Sequence, residues 1–188
     1  VIDATIRLFS QVDLKRIVAL TTVIETNWLV FCLSCNTNTL NQVATWLIVI
    51  HCFTTTLEFY FVEMVYRRYG SRNLLNIFSL AYNYPSLYKV FMFTTFTTVG
   101  LPGTSIFIAK LAFFVSLSSF DLLSSLLFAF IFLVILPVFF IRLFLTISGG
   151  SISLKNSSYF DLNQKDIFIL LTSIIFTIIF GFYPSIIA

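Results

Sequence analysis

Charge is what this sequence has least of. Only 10% of its 188 residues are Asp, Glu, Lys or Arg, against 59% hydrophobic, and the mean hydropathy is +0.99. A water-soluble domain of this size needs far more charge to cover its surface, so an integral membrane protein is implied. The net charge of +3 is too small to suggest a nucleic-acid surface. Cysteine is scarce as well. Cys32, Cys35 and Cys52 form no disulfide framework, and the one Cys-x-x-Cys ends an apolar run with no βαβ context. Small apolar packing accounts for these residues, and we expect no metal site. Also missing are internal repeats, low-complexity tracts and the pattern of a signal or transit peptide in residues 1–12. The chain starts at Val1 and not at methionine, which raises the expectation of an upstream portion, lost or encoded separately.

What is present is long apolar runs. A membrane helix needs about 20 mostly apolar residues, and the sequence predicts an all-α, polytopic domain over 1–188 with about five spans: 15–33, 41–65, 87–117, 122–147 and 166–187. The third is too long for one straight helix, and "GLPG" at Gly100, Leu101, Pro102 and Gly103 breaks it into two halves. Pro137 is expected to kink the fourth.

The cations orient these spans. Arg7, Lys15 and Arg16, then Arg67, Arg68, Arg72 and Lys89, then Lys155 and Lys165 all fall on one side of the membrane. The opposite loops, "SCNTNTLN" and "SSF", hold no lysine or arginine, so the basic side is read as cytoplasm or matrix and the C-terminal "YPSIIA" as lying on the far side.

Setting the loop cations aside leaves Glu25, His51, Glu58, Glu63, Lys110 and Arg142. Glu25 and His51 each lie about ten residues into their spans, and Lys110 is about as deep, so at about 1.5 Å per residue all three share one level near mid-membrane. A charge there costs at least about 2.5–3.5 kcal/mol, and such groups face protein or water and mark ion paths. Plainer readings stand beside this one. Glu25 could bond to Thr21 or Thr22, and His51 could be a core histidine held by Thr54 or Thr55. Glu58 either extends a relay from His51, two turns away, or pairs with a loop cation. Glu63 and Arg142 lie a turn from the basic side, where snorkelling explains them. Lys110 has only apolar neighbours one turn away (Ile106, Phe107, Phe113 and Phe114), so its own helix offers no counter-charge. A broken span next to a buried titratable group is the pattern of an ion-translocating site.

Four stretches carry a resemblance. "DLKRIVALTTVIETN" from Asp13, "IHCFTTTLEF" with "YRRYGSR" from Ile50, "VGLPGTSIFIAK" from Val99, and "DLNQKDIFIL…GFYPSII" from Asp161 together resemble the antiporter-like membrane subunits of respiratory complex I. The Pro-Gly-Thr and the last Asp-Leu-Asn are similar to the chain-4 type of NADH–ubiquinone oxidoreductase. The resemblance implies spans ten to fourteen of a fourteen-span subunit and most of the second of two inverted repeats, the half associated with proton exit. It implies a mitochondrial inner-membrane location with basic loops on the matrix side. Partners would be other membrane-arm subunits, including a chain supplying the earlier spans. No redox cofactor is expected in this chain; NADH, FMN, iron–sulfur clusters and ubiquinone would belong to other subunits. On the family pattern Lys110 takes the key ionisable position of the broken span and His51 the central histidine of the span before it. The sequence departs from the chain-4 pattern twice, with Lys110 for a glutamate and Glu25 for a histidine. Two rival readings remain: half of a cation/proton antiporter or hydrogenase-type membrane subunit, and a structural fragment whose proton path has decayed.

Overall fold

A computed structural model describes residues 1–35, 37–77, 79–119, 121–149 and 161–182. Lys155, Asn36, Phe120 and the "YPSIIA" end, all used above, lie outside the described residues. Among the described residues, nine α-helices follow one another: α1 (Ile2–Ser10), α2 (Leu14–Ser34), α3 (Asn38–Tyr69), the single turn α4 (Leu80–Asn83), α5 (Pro85–Val99), α6 (Ser105–Ser118), α7 (Leu122–Phe130), α8 (Leu136–Ser148) and α9 (Gln164–Phe182). Among the described residues there is no strand, only an isolated bridge between Asp13 and Asn73. Four helical stretches are long and apolar enough to cross a membrane: α2, α3, the continuous run Leu122–Ser148, and α9. The shorter apolar α6 joins α5 to make the interrupted third span.

The helix ends follow from local chemistry. Asp13 caps α2, its carboxylate accepting from the Lys15 N–H at 2.9 Å. Helix α3 stops at Gly70, whose φ of 67° is the left-handed turn that glycine adopts without a Cβ penalty. Between α7 and α8, residues Ile131–Ile135 widen into a π-helical turn. The cause is Pro137, which has no N–H to give and whose ring would strike the carbonyl four residues earlier. The expected kink is therefore a local unwinding inside one continuous span.

Helix α3 is the central post, packed against α2, α5, α6 and α9. Trp28 of α2 joins it to the outer helices through an aromatic cluster, with ring centres 4.6 Å from Phe113 and 5.5 Å from Phe128. On the far face, Leu126, Phe130, Leu133, Val138 and Ile141 point away from the bundle and are exposed. That is the surface a span presents to lipid. Exposed apolar residues of this number would be a liability in water and are ordinary in a bilayer.

The connections at the basic end are tied to one another. The Leu14 N–H donates to the Arg72 carbonyl at 3.0 Å, Leu74 N–H to Val12 at 2.8 Å, and Ser79 N–H to Gly149 at 2.9 Å. The first turn of α5 has no cap from its own side chains. Asp161 supplies one from 75 residues away, accepting from the N–H of Ser86 at 2.5 Å and of Leu87 at 3.1 Å. Arg68, grouped with the loop cations by its position, has a side chain only 7% exposed. It donates to the carbonyls of Met64 and Asp161 and lies 3.8 Å from the carboxylate of Asp166, which also accepts from the Tyr60 hydroxyl at 2.6 Å. Arg67 pairs with Glu63 at 3.0 Å on the exposed surface, and Arg142 is exposed.

Candidate proton-transfer site

The break in the third span is built from two glycine conformations. Gly100 has φ 85° and closes α5: its N–H donates to the Thr97 carbonyl at 3.0 Å, while Leu101 N–H reaches back to Phe96 at 3.1 Å. Residues Leu101 to Thr104 then form a turn, with Thr104 N–H donating to the Leu101 carbonyl at 3.1 Å. Proline second and glycine third, at φ 93°, is the type II arrangement, which needs a residue free to take positive φ at the third place. So Gly100, Pro102 and Gly103 each have a stated backbone reason.

An α-helix leaves its last four carbonyls without intrahelical partners. In α5 these belong to Phe96, Thr97, Thr98 and Val99. The turn at Gly100 satisfies the first two. The other two accept from the Lys110 ammonium, at 2.8 Å for Thr98 and 3.1 Å for Val99. Lys110 sits on α6, and because side chains lean toward the N-terminus of their helix, its stem folds back over the break. Its Nζ and Cδ would lie 3.3 Å from a Cβ placed on Gly100. The ammonium also lies 5.2 Å from the centre of the Phe132 ring, in the π-helical turn. The negative end of the α5 dipole meets a positive charge, which is why a lysine is tolerated at this depth.

Glu25 and His51 are brought together. The Glu25 carboxylate and His51 Nδ1 are 2.7 Å apart, with side chains 22% and 17% exposed. The plainer readings of these two fail on geometry. The Thr22 hydroxyl donates to the Ala19 carbonyl and Thr21 to that of Val18, not to Glu25. Thr54 and Thr55 bond the backbone carbonyl of His51 and leave the ring to Glu25. Glu25, His51 and Lys110 line one small cavity, walled by Trp28, Ile106 and Phe132 among others. It leaves about 20 Å³ for the centre of a water molecule, room for one. The buried indole N–H of Trp28, on that wall, has no acceptor among the described residues.

Glu58 lies elsewhere. It is 9% exposed and accepts from the Thr21 hydroxyl at 3.5 Å, and no loop cation reaches it among the described ion pairs. With Thr21, Thr94, Thr95 and Thr98 it borders a second cavity of about 30 Å³, which extends to Leu14 near the basic end of α2. Thr98 borders the second cavity, and its carbonyl accepts from the lysine that lines the first. Sequence reasoning found the four titratable groups but not Thr98, Trp28 or Phe132. Beside Glu58, the hydroxyl residues Thr94, Thr95 and Thr98 are the signal in the sequence for the second cavity. Of the cysteines, Cys32 is buried, Cys35 half-buried and Cys52 exposed, and all are free.

Among the described residues, a helical membrane domain with an interrupted span, and a lysine held by the freed carbonyls of that span, has the architecture of the discontinuous-helix, antiporter-like folds. The chain belongs to the NADH:quinone oxidoreductase/Mrp antiporter transmembrane family, whose model matches residues 2–139. It is similar to NADH-ubiquinone oxidoreductase chain 4 of Chondrus crispus, 30% identical over 98% of this chain and 38% of that protein. Chain 4 of Paramecium tetraurelia is 29% identical over 58% of this chain and 23% of the relative. NADH-quinone oxidoreductase subunit M of Rickettsia felis is 23% identical over 98% of this chain and 38% of the relative. The chain spans well under half the length of these curated relatives.

Proposed function

We propose that the chain forms the C-terminal portion of a chain-4 subunit of mitochondrial NADH:ubiquinone oxidoreductase and carries part of a proton path across the inner membrane. The observation that bears most weight is the Lys110 ammonium on the Thr98 and Val99 carbonyls, sharing a water-sized cavity with the Glu25–His51 pair. Protons would move between Lys110 and the Glu25–His51 pair through one water, and between this cavity and the basic side through Glu58 and the threonines around it. In this reading the basic end faces the matrix. Electron transfer and its cofactors (NADH, FMN, iron–sulfur clusters and ubiquinone) belong to other subunits, and the path responds to them through the membrane arm. Co-purification with an NADH dehydrogenase distinguishes this from a free-standing cation/proton antiporter.

The test is His51→Leu, which fills the position with an apolar side chain and removes the ring nitrogens. A positioned acid–base group contributes about 10²–10⁴ in transfer rate, so protons translocated per electron should fall in vesicles while NADH-to-quinone electron transfer persists in part. Wild-type stoichiometry in an assembled His51→Leu complex would remove the histidine from the path.

A helix of a neighbouring membrane-arm subunit is proposed to seat in the groove between the first half of α3 and α6. That groove has a volume of about 820 Å³ and is lined by Gln42, Thr45, Trp46, Leu111, Ala112 and Ser116 among others. Apolar walls with a few hydroxyl and amide groups suit a membrane helix that packs by small residues and interhelical hydrogen bonds. Ala112→Trp, which fills the groove, should reduce recovery of neighbouring membrane-arm subunits with this chain on affinity purification. Undiminished recovery would place the contact elsewhere.

A further inference from the structure

The segment that leads into helix α9 and the end of α9 meet the two halves of the broken span. Just ahead of its first turn, Asp161 caps α5 through the N–H groups of Ser86 and Leu87. In the first turn, Asp166 holds Tyr60 and Arg68 of α3. Its buried face then runs Asp166, Leu170, Ser173, Thr177, Gly181, one stripe at helical spacing whose last three residues are small. At the last of these positions the helix meets backbone. A Cβ on Gly181 would lie 2.5 Å from the Gly103 carbonyl oxygen, 2.9 Å from the Thr104 carbonyl carbon and 3.0 Å from the Ser105 nitrogen. No side chain can yield there, because all three atoms belong to the turn that starts α6.

We propose that α9 is a splint for the broken span, with Gly181 as the positioning residue that sets where α6, and hence Lys110, stands relative to the end of α5. The connection is short. Residues Gly103 to Ser105 are the first fixed points of α6, and Lys110 follows little more than one turn later. A push on that turn moves α6 away from α9 while Asp161 keeps α5 in place. The contacts that must stretch are those across the break, from the ammonium to the Thr98 and Val99 carbonyls. Gly181 touches neither Lys110 nor the water-sized cavity, so its effect is exerted through backbone position alone. Misplacement of a reacting group by about 1 Å is enough to cost up to ~10²-fold in a transfer step.

This inference rests on the proton-path reading, and the experiment separates the two. Gly181→Ala, Asp161→Asn and Lys110→Met are each introduced into the whole complex. Each is then assayed for assembly, for NADH-to-quinone rate, and for protons translocated per electron as a function of pH. Gly181→Ala is expected to assemble, to keep electron transfer, and to lose protons per electron to an extent comparable with Lys110→Met. The pH profile of what remains should be displaced, whereas a merely weakened fold would lower the amount of complex and leave the profile in place. Asp161→Asn, which weakens the cap on α5 at the other end of the splint without breaking an ion pair, should show a smaller loss in the same direction. Wild-type stoichiometry and profile in Gly181→Ala, beside a defect in Lys110→Met, overturns the splint and leaves the path standing. Normal stoichiometry in both overturns the path itself. Where Gly181→Ala yields no complex, Asp161→Asn decides: wild-type stoichiometry there overturns the splint.

Discussion

Lys110→Glu alone is expected to impair proton translocation, and Glu25→His added to it is expected to recover part of the loss. Each of these substitutions restores the residue typical of the chain-4 pattern. Lys110 and Glu25 line the same cavity, so Lys110→Glu places two carboxylates in one low-dielectric space, where like charges are strongly unfavourable. It also faces a carboxylate, an acceptor when ionised, toward the Thr98 and Val99 carbonyls, which are acceptors too. The second change removes the charge conflict and leaves the carbonyl problem, which is why recovery should be partial. Lys110→Met preserves length but satisfies neither carbonyl. A buried acceptor left unpaired costs about 1–3 kcal/mol, so this variant should lose both the proton relay and some stability. Protons per electron, measured in vesicles for the single and double variants, check all three. Equal defects in Lys110→Glu and the double variant would show that positions 25 and 110 are uncoupled. Full activity in Lys110→Met would take the lysine out of the mechanism.

Arg68→Met should be among the most damaging changes to the fold itself. The Arg68 side chain is 7% exposed and that of Asp166 9%, and the guanidinium also serves the carbonyls of Met64 and Asp161. Removing one partner of a buried ion pair leaves the other charge uncompensated, at about 3–5 kcal/mol. Here the orphan would be Asp166, and with it goes the alignment of Asp161 on the first turn of α5. Replacing both members by apolar residues costs far less in general, so Arg68→Met combined with Asp166→Leu should regain much of the assembled subunit. Native-gel yield of the complex measures this. A normal yield for Arg68→Met would show the pair to be dispensable. By contrast, Arg67→Met next to it should change little, because its pair with Glu63 is solvent-exposed.

The contrast between these adjacent arginines marks the limit of the sequence. Arg67 and Arg68 read alike, two cations at the basic end of a span, and only packing against α9 separates the buried one from the exposed one. What the chain reveals by itself is whatever depends on near neighbours. The apolar runs, their caps, the helix break at Gly100 and Pro102, and the common depth of Glu25, His51 and Lys110 all follow from residue type and spacing along one helix. The clustering of cations on alternate loops belongs with them. The tertiary structure alone decided that Glu25 takes His51 and not a threonine one turn back, a pairing across 26 residues. It likewise decided that Glu58 stands in a separate cavity, that Asp161 caps a helix 75 residues earlier, and that Gly181 closes on the turn before α6. The reason is one of range. Helix formation, turn chemistry and burial depth are set by interactions over three to four residues, whereas the facing of two helices is set by the joint packing of their surfaces. No short segment of the sequence carries that information, because each side chain's partner is chosen by every helix that competes for the same space.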